Sequence, residues 1–221
     1  MDTRAFMLVF LGALSAFGPF VMDMYLPVLP SMEDWFGCST ANVQLGLTTG
    51  LVGLAAGQLV FGPLSDRYGR RLPLICAMIL FMASTAGCIF AANIHQFIVM
   101  RLFQGLAGSG GVVLSRSIAT DKYRGSELTS MMAIIAAVNG VATVAAPIAG
   151  GLIAGLGGWR GIFWSLMLLS MLLLLCTLRM NECMVVRLES SSSLGFRKVL
   201  RNRSYLRYVL TYMFSMGVLF T

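Results

Sequence analysis

Apolar residues gather along the chain into blocks near the length of a bilayer crossing, and most charged residues lie between the blocks. A helix rising about 1.5 Å per residue needs about 20 apolar residues to cross a hydrocarbon core of roughly 30 Å. Six blocks meet that requirement, over about 5–25, 43–64, 72–92, 96–118, 129–156 and 161–178. The first, behind a short charged start, mimics a signal peptide, but it exceeds a normal signal core and more spans follow, so a retained helix is expected. A polar stretch over 179–204 contains Ser190 to Ser193 and the basic cluster Arg197, Lys198, Arg201 and Arg203. It reads as a linker with room for a short amphipathic helix. A seventh apolar block begins near Tyr205 and is cut off at Thr221, a marginal length for a crossing. The pattern predicts an all-α polytopic membrane protein: a six-helix bundle over 1–178, a cytoplasmic linker over 179–204 and a truncated seventh helix over 205–221.

Composition agrees with the pattern. Hydrophobic residues make up 57% of the chain and charged residues 11%, against roughly 25% charged in a soluble domain. So few charges do not cover a water-exposed surface. The net charge of +7 does not indicate a nucleic-acid partner, because the basic residues flank apolar spans and form no aromatic-plus-basic strip. Anionic lipid and topology explain them. Arg4, then Arg67, Arg70 and Arg71, then Lys122 and Arg124, then the linker fall on one side, while Glu33, Asp34, His95 and Arg160 fall on the other. The positive-inside rule places the N-terminus and linker in the cytoplasm.

The catalytic inventory is thin. Cys38, Cys76, Cys88, Cys176 and Cys183 are scattered without a CxxC pair, so neither a disulfide framework nor a zinc site is expected. The single histidine, His95, sits in a loop beside Asn93 and reads as an interfacial polar residue. There is no HExxH, G-x-S-x-G or P-loop lysine motif, so no enzyme, metal, cofactor or ATP-driven pump is expected.

Polar and small residues inside the spans carry the remaining information. Gly46, Gly50, Gly53 and Gly57 share one helix face, as do Gly105, Gly108 and Gly111, and Gly151 and Gly155. Such stripes let helix backbones approach closely in lipid. Gln44, Gln58, Gln104 and Asn139 read first as helix–helix hydrogen bonds, and Gln104, one turn from Arg101, is also a cavity candidate. The 16 methionines suit either a promiscuous apolar pocket or an ordinary lipid-facing surface. Asp23 and Arg101 are charges placed within spans, which is costly and a functional hypothesis by default. The competing readings are an outer headgroup position for Asp23 and a snorkelling anchor for Arg101. Between the second and third spans, Gly62 and Gly69 bracket an expected tight turn in which Asp66 sits among Arg67, Arg70 and Arg71. An acid there can pair with arginine as a breakable latch.

That segment, Gly62-Pro-Leu64-Ser65-Asp66-Arg67-Tyr68-Gly69-Arg70-Arg71, resembles the loop motif G-x-L-a-D-r-x-G-r-[KR] of the major facilitator superfamily. Arg101-Leu-Phe-Gln104-Gly105 resembles its R-x-x-Q-G pattern. Ala146-Pro147-Ile148-Ala149-Gly150-Gly151 resembles the antiporter pattern G-P-x-x-G-G, with Ala146 where glycine is usual. Met22-Asp23-Met24-Tyr25-Leu26-Pro27 and the stretch from Gly158 to Trp164 are similar to the Bcr/CflA drug-resistance branch, which includes bicyclomycin and chloramphenicol exporters.

The resemblance implies the N-terminal half of a transporter in a bacterial inner membrane, built from two inverted three-helix repeats. It implies export of small amphipathic compounds in exchange for protons. Asp23, Tyr25, Arg101, Gln104 and Asn139 would then serve proton coupling or the substrate cavity. Asp23 and Arg101, at similar depths, would pair or compete. Gly62, Asp66, Arg67, Gly69, Arg70, Arg71 and Asp121 would form the latch, with Asp121 on Arg70. Pro147, Gly150 and Gly151 would mark the antiporter helix. Expected partners are substrate, protons, membrane lipid, and a missing second half or a second copy. A metabolite carrier and a non-transporting fragment are the alternatives.

Overall fold

Without water in a hydrocarbon core, a spanning segment must satisfy its own peptide groups, and a helix does so. The computed structural model describes residues 3–179 and Thr211, and it has no strand among the described residues. The expectations for a linker and a seventh helix lie outside the described residues, save for Arg179 and Thr211.

Helix α1 (Thr3–Asp23) ends just before a short 3-10 turn, Leu26–Val28. Pro27 removes a backbone donor there, and the residue before a proline disfavours helical backbone. A short helix α2 (Leu29–Phe36) follows and closes on Gly37. Then come α3 (Thr40–Tyr68), α4 (Arg71–Ile89) and α5 (Ile94–Lys122). The start of α5 is fixed by its own sequence: Asn93 Oδ1 accepts from the Gln96 amide at 2.8 Å, and Gln96 Oε1 accepts from the Ala92 amide at 3.2 Å. This reciprocal arrangement satisfies two donors that a helix start leaves open. His95 lies exposed in that first turn.

Helix α6 (Gly125–Arg179) has 55 residues, so Gly158 must divide it. Straight, it would reach about 80 Å, more than twice the hydrocarbon thickness. Gly158 adopts φ 62° and ψ −167°, a conformation essentially confined to glycine, and splits α6 into arms over 125–157 and 159–179. Side-chain contacts give their directions. Val138 lies on Gly12 and Gly150 on Met24, so the first arm runs parallel to α1. Arg160 Nε donates to Ile89 O at 2.9 Å, and Arg71 Nη2 donates to Leu178 O at 2.6 Å. The second arm therefore returns antiparallel to α4. Among the described residues five helices are long and apolar enough to cross a membrane, and α6 supplies two of the passes.

Helix α5 is the hub, parallel to α3 and antiparallel to α1 and α4. A Cβ at Gly105 would fall on the Gly50 carbonyl of α3, and one at Gly150 would fall on the Met24 carbonyl just beyond α1. The helix pairings that these contacts mark, α5 with α3 and the first arm of α6 with α1, exchange when the first three passes are swapped with the last three. That is the relation of an inverted repeat. Phe17 and Phe81, with ring centroids 4.4 Å apart, pack beside Leu14 and Leu114 in the centre. Leu51, Val52, Leu59 and Val60 of α3 face outward, as do Val141, Val144, Ile148 and Leu152 of α6.

The glycine stripes divide accordingly. Gly46, Gly50, Gly53 and Gly57 are all buried against α5. Gly151 and Gly155 meet nothing within 4 Å, and the buried glycine of that arm is Gly150. Gly62 lies within α3, which continues through Pro63 to Tyr68; the turn is confined to Gly69, at φ 82°, and Arg70.

Candidate functional site

Among the described residues one charge is buried completely. Arg101, on α5, is 0% exposed. Nε donates to Gly46 O at 3.4 Å, and Nη1 donates to Val21 O at 3.0 Å and to Gln104 Oε1 at 2.7 Å. Nη2 reaches the Met22 sulfur at 3.9 Å, and the guanidinium lies 4.4 Å from the centroid of the Tyr25 ring. Backbone carbonyls, one carboxamide, a thioether and an aromatic face thus hold the cation, and none of them carries a full negative charge. Snorkelling is ruled out by the burial. Each donor that finds an acceptor reduces a desolvation cost of several kcal/mol for a buried ion, to an extent set by geometry.

Helical azimuth explains the choice of partners. Met22 and Tyr25 are three residues apart and buried toward α5, whereas Asp23 points elsewhere from the end of α1 and is half-buried. Among the described residues Asp23 forms no ion pair, so of the two arrangements expected for Asp23 and Arg101, pairing or competition, a direct pair is absent from this conformation. Tyr25 also adjoins a group of aromatic rings. Phe163 lies 6.5 Å from Tyr25, and Phe97 and Trp159 pack edge-on against Phe163. At that end Arg160 sits between Trp35 at 4.4 Å and Trp159 at 4.7 Å.

Gln104 is fully buried, and its amide bridges two helices. Its Oε1 accepts from Arg101, and its Nε2 donates to Thr85 Oγ1 of α4 at 2.8 Å. Asn139 belongs elsewhere, with Nδ2 donating to Ser15 O at 2.9 Å and to Ser15 Oγ at 3.3 Å. It joins the first arm of α6 to α1. Pro147 lies inside that arm one turn before Gly151, while Gly150 alone is pressed onto the chain after α1.

The basic end holds a second constellation. Arg70 Nε donates to Asp121 Oδ2 at 2.7 Å and Nη2 to Asp121 Oδ1 at 3.4 Å, across from α5. Its Nη1 donates to Asp66 Oδ1 at 2.7 Å and to Ser65 Oγ at 2.6 Å. Ser65 in turn donates to Gly62 O at 2.8 Å. Burial works against the Arg70 charge, yet the hydrogen bonds and charges of Asp121 and Asp66 outweigh it and hold the guanidinium above its ordinary range. Arg67 is exposed and stacks on Tyr68 at 5.3 Å, outside this network.

Sequence reasoning missed three participants. Thr85 stands beside Ser84 in an apolar span and Ser65 stands in basic surroundings, and nothing in their spacing points to α5 or to Arg70. Trp35 lies between the first two apolar blocks, where the nearby Pro27 and Pro30 were the available signal that a short structured element begins.

Comparison with known proteins places this geometry in a family. The profile described as Major Facilitator Superfamily matches residues 8–221. The chain is 39% identical over 215 residues to the MFS-type transporter YdgK of Bacillus subtilis (strain 168), covering 94% of this chain and 54% of that protein. It is 37% identical over 150 residues to a chloramphenicol resistance protein of Pseudomonas aeruginosa, covering 64% of this chain and 34% of that protein. A bicyclomycin resistance protein homolog of Haemophilus influenzae is 36% identical over 163 residues, with 73% and 41% covered. The chain thus spans about half or less of the length of these relatives. The crystal structure of a D-xylose-proton symporter matches its fold at a TM-score of 0.72 and 17% identity, over 98% of this chain and 56% of the other.

Proposed function

Because the chain belongs to the Major Facilitator Superfamily, we propose that it supplies the first half of a secondary transporter that exports small amphipathic compounds, antibiotics among them, in exchange for protons. The names of the relatives, chloramphenicol resistance protein and bicyclomycin resistance protein homolog, support the cargo class. The observation that carries the coupling is the Arg101 site, a sealed cation held by neutral groups, with the half-buried carboxylate of Asp23 on the adjacent strand of chain.

The roles follow from that arrangement. Asp23 takes the proton when the site faces the acidic side and gives it up when substrate approaches. Arg101 supplies the fixed positive charge that makes this exchange sensitive to a rearrangement of α1 against α5. Tyr25, Met22 and Gln104 hold Arg101 while Asp23 changes its charge. Asn139 fixes α1 to the first arm of α6, so that the two move together, and Pro147, Gly150 and Gly151 shape that arm. Asp66, Arg70 and Asp121, with Ser65, make the latch at the basic end, and Gly62, Gly69, Arg67 and Arg71 shape its turn and surface. The basic end faces the cytoplasm of a bacterial inner membrane, and residues 179–204 join this bundle to the passes that complete the transporter.

The test is chloramphenicol susceptibility and gradient-driven efflux in cells expressing this chain joined to the second half of the Bacillus relative. Wild type should lower susceptibility and lose efflux when the proton gradient is collapsed. Asp23→Asn should abolish gradient-dependent efflux. Efflux that persists in full in Asp23→Asn, with the same gradient dependence, would sink the reading.

A further inference from the structure

The buried carboxamide of Gln104 has two chemically different ends, and its neighbours decide which end meets Arg101. The oxygen accepts from Arg101 Nη1 at 2.7 Å, and the amide nitrogen donates to Thr85 Oγ1 at 2.8 Å. Arg101, Gln104 and Thr85 are each 0% exposed, so no water competes for these atoms. Turning the amide over would set its N–H groups against a guanidinium that has only donors. Arg101 therefore sets the orientation, and the threonine hydroxyl, accepting from the amide nitrogen on the far side, holds the carboxamide in place between α4 and α5. The neighbouring Ser84 shows the ordinary fate of a hydroxyl in an apolar helix: it donates to Leu80 O at 2.8 Å and Phe81 O at 3.0 Å of its own helix. Thr85 instead receives a bond from α5.

We infer that Thr85 is a positioning residue for Arg101, acting through Gln104 as a strut between α4 and α5. The inference rests on the reading of Arg101 as the coupling cation. It adds that the placement of that charge depends on α4 as well as on α1, where Asp23 lies. Any shift of α4 along α5 stretches the Thr85–Gln104 bond and loosens the acceptor that faces Arg101. Valine has the shape of threonine without the acceptor, and serine keeps the acceptor, so the pair separates packing from hydrogen bonding.

The experiment uses the chain joined to the second half of the Bacillus relative, with chloramphenicol as the exported probe. Thr85→Val is expected to lower gradient-driven efflux about fivefold, the ratio that one neutral hydrogen bond supports. It should also shift the pH of half-maximal efflux while leaving KM for chloramphenicol unchanged. Thr85→Ser should restore both rate and pH profile. In nanodiscs, thermal unfolding of Thr85→Val, Gln104→Leu and the double variant should show that Thr85→Val adds nothing once Gln104 is gone. If Arg101→Lys removes gradient dependence but Thr85→Val keeps the wild-type pH profile, the strut is wrong and the coupling reading stands. If Arg101→Lys keeps the wild-type pH dependence, the coupling reading falls, and the unfolding cycle alone decides the strut. Additive losses in that cycle would overturn it.

Discussion

Two adjacent glycines in α6 show how much a single position decides. A Cβ at Gly150 would fall on the Met24 carbonyl, a backbone atom that cannot rotate aside, whereas Gly151 meets nothing within 4 Å. Gly150→Ala should therefore cost about 1–3 kcal/mol, the range of overpacking in a close contact. Gly151→Ala should be neutral or slightly stabilising, since alanine is the better helix former by up to ~1 kcal/mol. Thermal unfolding of the two variants in nanodiscs checks the contrast. At the basic end, Arg70→Lys should cost about 1–2 kcal/mol, because one ammonium group cannot serve Asp66, Ser65 and Asp121 together. Asp121→Asn should cost less, since the Asp121 side chain keeps 23% of its exposure. The raised affinity of Arg70 for its proton means that its contribution is lost only as pH rises beyond the guanidinium range. Unfolding temperature should therefore not fall through deprotonation of Arg70 at any working alkaline pH. Residue type alone marked Arg101, Asp66 and Arg70 as places to look. It could not give the Arg101 partners, because α1 is apolar on nearly every side, and no period separates the face of Met22 and Tyr25 from that of Asp23.

At the scale of elements, block lengths and turn residues made the passes legible. The first, third, fifth and sixth passes fall close to their expected bounds, and the second and fourth, α3 and α5, run a turn further into the basic end than the apolar blocks do. Helix continues there because Asp66, Arg67 and Lys122 are compatible with helix and need only be solvated, which an apolar-block criterion does not register. The helical elbow at Gly158 was not visible as such, since the span boundary over 156–161 contains Gly157, Gly158 and Gly161 and composition does not choose among them. The backbone chooses Gly158, at φ 62° and ψ −167°. Gly158→Ala should cost about 1–3 kcal/mol through backbone strain alone, because an added Cβ meets nothing within 4 Å. Gly157→Ala should be close to neutral, and comparison of the two unfolding temperatures tests the elbow. The short helix α2 is the element that apolar-block reading missed; with eight residues it is far below spanning length and carries Glu33 and Asp34.

Across the described bundle, close glycine-to-carbonyl contacts join α3 to α5, at Gly53 on Leu102 and Gly57 on Leu106, and the first arm of α6 to α1, at Gly150 on Met24, two pairings that correspond in the two three-pass halves. Repetition of that joint gives one bundle in which α1 and α5 lie side by side and carry the two charges of the candidate site. The central claim is that Asp23 carries the proton that substrate displaces, against the fixed charge of Arg101. The most direct measurement is proton release from the completed transporter, purified in weakly buffered detergent, on addition of chloramphenicol. The account predicts release by the wild-type protein and none by Asp23→Asn with binding retained. Equal release from both proteins would contradict it.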